Sequence, residues 1–224
     1  EIAPEIDIHL STQANVLNYL DAQVFWDMGV KRIVVAREIS LKDVMEIKKH
    51  LPDMEIEIFV HGSMCFAYSG RCLISAVQMG RVPNRGSCAN DCRFEYTLYA
   101  GNDEHGSLFR LEEEPGVGTY IFNSKDMNLA SHIQEILDSG AVDSLKIEGR
   151  TKSPYYAAVT AKAYREAIDD YYAGKFEPEK YQKELHTTKN RGFTDAYLIH
   201  KPFEKTDSQN HDYALSKGSY EVTG

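Results

Sequence analysis

The feature that most constrains this chain is a beat of strand and helix that repeats roughly every 25 residues over its first sixty. Ile6-Asp7-Ile8-His9-Leu10 alternates apolar and polar, which predicts a strand. Leu17, Leu20, Val24, Phe25 and Met28 then recur at helical spacing across residues 14–28, and Gly29 supplies a stop. Arg32-Ile33-Val34-Val35-Ala36 is a continuous run of the kind buried on both faces of a parallel sheet. Ser40, with Asp43 three residues on, is a variant of the capping box. It opens a helix whose apolar face is Leu41, Val44 and Met45 and which ends near Pro52. Glu55-Ile56-Glu57-Ile58-Phe59-Val60 is the third strand. Strands joined by helical crossovers must run parallel, so an α/β fold with a parallel sheet is expected.

The same unit returns later. Asp126 is predicted to cap a helix running through Leu137, Gly140 to end it, and Asp143-Ser144-Leu145-Lys146-Ile147 to form another strand. Ser153-Pro154 then opens a long helix with Tyr156, Val159, Ala163, Ala167 and Tyr171 on one face, the proline sitting where a first-turn proline belongs. Two segments interrupt the rhythm. Residues 61–95 hold every cysteine. Residues 96–124 predict a small β excursion, with strands at Tyr96–Ala100 and Leu108–Leu111 followed by Tyr120-Ile121-Phe122. Excursions this long from a sheet edge usually carry function. Residues 1–172 are therefore expected to form one unit, with residues 173–224 as a polar C-terminal extension.

With 42% hydrophobic residues the chain can bury a core. A net charge of −9 argues against coating nucleic acid or anionic membrane by bulk electrostatics. No apolar run approaches the roughly 18–20 residues of a membrane span, and no signal peptide is visible, so a cytoplasmic protein is expected. The chain opens at Glu1, close to a strand, and further residues upstream are expected.

The four cysteines are spaced Cys65-x6-Cys72-x15-Cys88-x3-Cys92. A chain of this length and apolar content does not need disulfide staples, which makes a reduced, metal-binding set the better reading. Four thiolates suit either an iron–sulfur cluster or zinc. Simple zinc sites favour pairs two to four residues apart, which Cys88/Cys92 satisfies and Cys65/Cys72 does not, so the spacing leans toward a cluster. The radical type CxxxCxxC is missing, because Glu95 stands where its third cysteine would fall. The segment is also locally basic. Within residues 61–96, Arg71, Arg81, Arg85 and Arg93 face only Asp91 and Glu95, giving +2 and leaving −11 for the rest. Phe66, Tyr68, Phe94 and Tyr96 lie among these arginines. Arginines with aromatics fit single-stranded nucleic acid, by phosphate pairing and base stacking, and fit equally an ordinary loop packed by its own rings.

The stretch from Glu57 through Val60-His61-Gly62-Ser63-Met64-Cys65 and Ser69-Gly70-Arg71-Cys72 to Ser75 resembles the signature of the collagenase-like PrtC peptidases, a group of unassigned mechanism. The likeness extends to His9–Asn15, Ala36–Ser40, Asn84–Cys88, Asn123–Asp126 and Leu145–Ser153, and covers about residues 1–172 in order. It implies a TIM-like (β/α) barrel whose first units lie upstream of Glu1. Family members include proteins that install the wobble-uridine hydroxyl of tRNA and relatives that hydroxylate a cytidine of ribosomal RNA. These depend on prephenate and on cysteines that carry an iron–sulfur cluster, and Cys65, Cys72, Cys88 and Cys92 match them. The tail around Arg191–Asp195 follows the family only loosely.

Barrel enzymes work from residues just after each strand. That places Ser11, Thr12, Gln13 and Asn15 after the first strand, Arg37 and Glu38 after the second, His61 after the third, and Glu148 and Arg150 after the strand ending near Ile147. Asn123, Ser124, Lys125 and Asp126 close the excursion. Arg37, Lys125, Lys146 and Arg150, with Ser11, Gln13, Asn15 and Asn123, suit a small dicarboxylate ligand. Glu38, Glu148 and His61 are the candidates for moving protons. Each has a plainer alternative: the glutamates can neutralise neighbouring cations, Asp126 can cap a helix, Lys146 can point into the sheet and His61 can orient the cysteine loop. The expected function is RNA modification on tRNA, with ribosomal RNA as an alternative substrate. A peptidase acting on peptide substrates ranks second, since the chain has neither HExxH nor GxSxG. A metal-binding interaction module ranks third.

Overall fold

The computed structural model describes residues 5–94, 96, 99–102, 107–110, 124–149 and 152–200. Four strands follow one another as parallel neighbours: β1 (Ile8–Leu10), β2 (Val30–Val34), β3 (Glu55–Ser63) and, after a long excursion, a fourth at Ser144–Ile147. Helices α1 (Tyr19–Asp27) and α2 (Leu41–His50) make the first two crossovers. The cysteine segment carries α3 (Ile74–Met79), and the excursion holds the antiparallel pair β4 (Tyr99–Asn102) and β5 (Ser107–Arg110). Strand β6 (Asp126–Asn128) runs antiparallel to the end of β3, with His61 opposite Asn128 and Ser63 opposite Asp126. After α4 (Ile133–Asp138) comes the fourth parallel strand, β7, in register from Glu57 opposite Ser144 to His61 opposite Ile147. Helices α5 (Pro154–Tyr172) and α6 (Pro178–Leu185) follow, and β8 (Phe193–Thr194) joins the sheet beside β6. This is a mixed α/β fold with a largely parallel sheet, four of whose strands run parallel as side-by-side neighbours.

The core lies where the strand and helix patterns placed it. Ile33, Ile56, Ile58 and Val60 of the sheet pack with Val44 and Ile47 of α2 and with Ile133 and Ile136 of α4. At about 25 cal/mol per Å² of apolar area, such burial is the main stabilising term. Ser40 caps α2 by accepting from the Asp43 amide, and Ser153 caps α5 by accepting from Tyr156, both as the sequence predicts.

Three expectations are corrected. Helix α1 starts at Tyr19 instead of Ala14: Asn15 turns left-handed at φ 55° and Asn18 supplies the cap. Of its expected apolar face, Leu20, Val24 and Met28 are exposed, while Leu17 and Phe25 pack against the core and Ala22 is buried. Asp126 caps no helix; it is a buried strand residue held by Lys152 at 3.8 Å and Arg191 at 3.7 Å. The chain after Ala173 is polar in composition yet not a loose extension through His200, because Tyr181 and Leu185 are fully buried and β8 enters the sheet. Tyr120-Ile121-Phe122 and residues 201–224 lie outside the described residues. Among the described residues no helix is long and apolar enough to cross a membrane.

Candidate functional site

The carboxyl ends of the four parallel strands open into one cavity of about 280 Å³. Gln13 after β1, Arg37 after β2, Cys65 after β3 and Glu148 after β7 all line it, with Cys72, Cys88 and Cys92. All four cysteines are free thiols, none joined in a disulfide. Burial raises the thiols of Cys65 and Cys92, while the positive charge of Arg37 and Arg93 favours the thiolate at Cys65, and that of Arg93 does so at Cys92. Among the described residues no three His, Cys, Asp or Glu side chains converge tightly enough to close a shell around one metal ion. Asp91, next to Cys92, is buried with neither carboxylate oxygen hydrogen-bonded.

The loop carrying these thiols is tied to the strand ends by polar contacts. Glu38 Oε1 accepts from the Ser69 amide at 2.8 Å, and the Ser69 hydroxyl accepts from the Arg37 amide at 3.3 Å. Gly70, at φ +73°, lies so close to the Gln13 carbonyl that a Cβ would collide with it. Gly62, at φ +126°, meets Glu148 in the same way: a Cβ there would stand 2.6 Å from its carbonyl oxygen. Both positions need glycine for space as well as for backbone conformation. Arg93 donates to Ser63 Oγ at 2.7 Å and to the Met64 carbonyl at 3.2 Å. Tyr96 donates to the Asp91 carbonyl at 2.7 Å.

The residues singled out from the sequence divide accordingly. Arg37 and Glu148 come together as an ion pair at 2.5 Å, with the guanidinium 3.8 Å over the Phe59 ring. Glu148 is 45% exposed, lines the cavity and remains a candidate for proton transfer. Glu38 is not on the cavity wall; it acts on the loop through Ser69. His61 is 1% exposed and boxed by Tyr156, Tyr164 and Phe193. Burial, helped by the charge of Lys152, pushes its pKa down to about 3, which favours the neutral imidazole, and the ring lies off the cavity wall. Lys146 pairs with Glu57 at 2.9 Å and is not on the cavity wall. Ser11 caps the short turn at Thr12–Ala14, Thr12 donates to the Val35 carbonyl, and Asn15 turns the chain; none of the three lines the cavity. Lys125 packs beside Gly192 and Ser124 is buried, both away from it. Arg71, Arg81 and Arg85 are exposed on the cysteine loop, as are Phe66, Tyr68, Phe94 and Tyr96. Arg93 differs, being half-buried and turned into the cavity. Asn123 and Arg150 lie outside the described residues.

Sequence reasoning missed Lys152, which lines the cavity and contacts Asp126. It missed Arg191 for the same reason: their shared partner, Asp126, is far away in sequence. Burial and the neighbouring cations lower the pKa of both, Arg93 being among them.

These features define a class: an α/β protein with a four-thiol cavity at the carboxyl ends of parallel strands. The chain belongs to Peptidase family U32, whose model matches residues 1–208, and this is the collagenase-like group its motifs resemble. It is 66% identical over 224 residues to tRNA hydroxylation protein P of Helicobacter pylori, covering 100% of this chain and 53% of the relative. To tRNA hydroxylation protein P of Escherichia coli it is 41% identical over 250 residues, covering 95% and 54%. To a collagenase of Porphyromonas gingivalis it is 32% identical over 207 residues, covering 87% and 48%. The chain thus spans about half the length of the curated relatives it matches. No solved structure matches it.

Proposed function

We propose that this chain is the catalytic-site portion of a tRNA-hydroxylating enzyme, one that forms hydroxylated wobble uridine with prephenate as co-substrate. Cys65, Cys72, Cys88 and Cys92 would hold its iron–sulfur cluster. The observation that carries the reading is the 66% identity, over the whole chain, to a relative named for tRNA hydroxylation. The cavity supports it: four unpaired thiols share one wall with Arg37, Glu148 and Lys152.

Four thiolates suit an iron–sulfur cluster or zinc, and the wide Cys65/Cys72 spacing leans toward a cluster. Zinc needs four sulfurs each about 2.3 Å from one point, whereas a cluster spreads its thiolates over separate irons and tolerates a wider cage. When bound, the cluster supplies one-electron or Lewis-acid chemistry beside a substrate. Around it, Arg37 and Lys152 orient an anionic co-substrate, and Glu148 holds or releases a proton at its carboxylate. The exposed Arg71, Arg81 and Arg85, interleaved with Phe66 and Tyr68, suit phosphates and unstacked bases of a tRNA loop.

Nucleoside analysis of tRNA from a strain lacking the gene, complemented with the full-length protein or with Cys88→Ser, tests the reading. Hydroxylated wobble uridine should vanish on deletion and return only with the unmutated protein; its persistence after deletion would sink the tRNA assignment. Peptidase activity is the second reading, favoured by the family and by the collagenase relative. Against it, His61 is buried among aromatic rings, away from any substrate. Gelatin cleavage that disappears on changing Glu148 would reverse the ranking.

A further inference from the structure

Arg93 reads from the sequence as one of four basic residues on a nucleic-acid surface, but the fold spends it differently. Its Nη1 donates to Ser63 Oγ and its Nη2 to the Met64 carbonyl. Those acceptors are the last residue of β3 and the residue just before Cys65, while Arg93 itself directly follows Cys92. One guanidinium therefore fastens the chain entering the cysteine loop to the chain leaving it. Arg93 also lines the cavity that all four thiols share. A planar fork can reach a hydroxyl and a carbonyl at once, which an ammonium on a flexible stem does poorly. With its donors engaged inside the loop, Arg93 is set apart from the exposed Arg71, Arg81 and Arg85.

We propose that Arg93 is a positioning residue of the four-cysteine site, holding Cys65 and Cys92 in register and supplying fixed positive charge beside the thiolates that line the cavity. The inference rests on the cysteines being ligands of an inorganic centre, as proposed above, and not on the identity of the RNA. Ser63 and the Met64 carbonyl are the anchors through which it acts. The charge and the tether are separable, since Ser63→Ala removes one hydrogen bond and leaves the guanidinium in place.

The test uses the full-length protein with Arg93→Gln, Arg93→Lys and Ser63→Ala, each reconstituted anaerobically with ferrous iron and sulfide. Iron and sulfide per chain, the rate at which a chelator bleaches the visible absorbance, and the midpoint potential are measured. Arg93→Gln should bleach about tenfold faster or more, as expected for losing charge-assisted hydrogen bonds, and its potential should fall because a nearby positive charge is gone. Arg93→Lys should keep a potential near that of the unmutated protein yet bleach faster. Ser63→Ala should bleach roughly threefold faster with its potential unmoved. Unchanged bleaching and potential in Arg93→Gln would overturn the proposal, as would an unmutated protein that takes up no iron and sulfide. Should Arg93→Gln fail to fold by circular dichroism, Ser63→Ala decides, and bleaching at the unmutated rate overturns the proposal. A chromophore that depends on Arg93 in a protein whose deletion leaves tRNA hydroxylation intact would sink the RNA reading and leave this one standing.

Discussion

The parallel strands and the cysteine loop that rises from them are held by different forces. Ile33, Ile56, Ile58 and Val60 sit at 0–1% exposure, and each buries its side chain among apolar neighbours. From Cys65 to Phe94, by contrast, Phe66, Tyr68, Leu73, Val77, Met79, Val82 and Phe94 are all exposed. The loop is fastened instead by Glu38 to Ser69, Arg93 to Ser63 and Met64, and Ser75 Oγ to the Ala89 amide at 2.9 Å. Hydrophobic burial adds up over area, whereas such ties act singly and each contributes about 1–3 kcal/mol. The sheet should therefore tolerate injury to the loop, and the loop should depend on every tie and on whatever its thiols bind.

The largest expected effect is on the sheet side. Ile58→Ala should cost about 2–5 kcal/mol of global stability by urea denaturation, as core truncations do. A smaller loss than that of a loop variant would break the contrast. His61 extends the contrast to pH. Its folded pKa of about 3 lies below the ordinary 6.5, so the unfolded chain binds a proton that the native protein refuses. That contribution is complete above pH 6.5 and is lost as pH falls toward 3, amounting to several kcal/mol. Denaturation of His61→Phe over this window should show a flatter pH dependence, and an unchanged slope would contradict the buried neutral imidazole.

Gly70→Ala sharpens the loop side. The added methyl meets the Gln13 carbonyl at a backbone angle that alanine disfavours, so limited proteolysis should open the loop while the urea midpoint moves little. Glu38→Gln should act more gently, since an amide oxygen still accepts from Ser69; faster hydrogen exchange at the Ser69 amide, worth about 1 kcal/mol, is the expected reading. The smallest stability change belongs to Arg71→Gln with Arg85→Gln. There the melt should be unaltered, and the salt dependence of tRNA binding should fall by about 0.7 in slope for each phosphate no longer neutralised.

The same division decides what a sequence can reveal. Strand β2, strand β3 and the Ser40 and Ser153 caps are legible because each depends on residues a few positions apart. The positions after the strands are legible too, and Gln13, Arg37 and Glu148 reach the cavity with the cysteines. Asp126 misleads because an aspartate before a helical pattern looks like a cap; its partners, Lys152 and Arg191, are distant in the chain. His61 reads as chemistry because nothing local announces that Tyr156 and Tyr164 of α5 and Phe193 of β8 close around it. Lys146 reads as a ligand-binding cation for want of knowing that Glu57 lies across the ladder. Helix α1 shows the reverse failure for Leu20, Val24 and Met28, which periodicity assigns to a core and the fold turns outward, while Leu17 and Phe25 pack inward.

That outward stripe has a practical consequence. Strand β1 has a hydrogen-bonding neighbour on one side only among the described residues, and Ile6 and Ile8 of this strand region are exposed along with Leu20, Val24 and Met28. An open ladder flanked by grease is an invitation to any passing strand. Handled at high concentration, these 224 residues should stick to one another through that margin, and light scattering should climb with dose unless a lysine is grafted at Ile8.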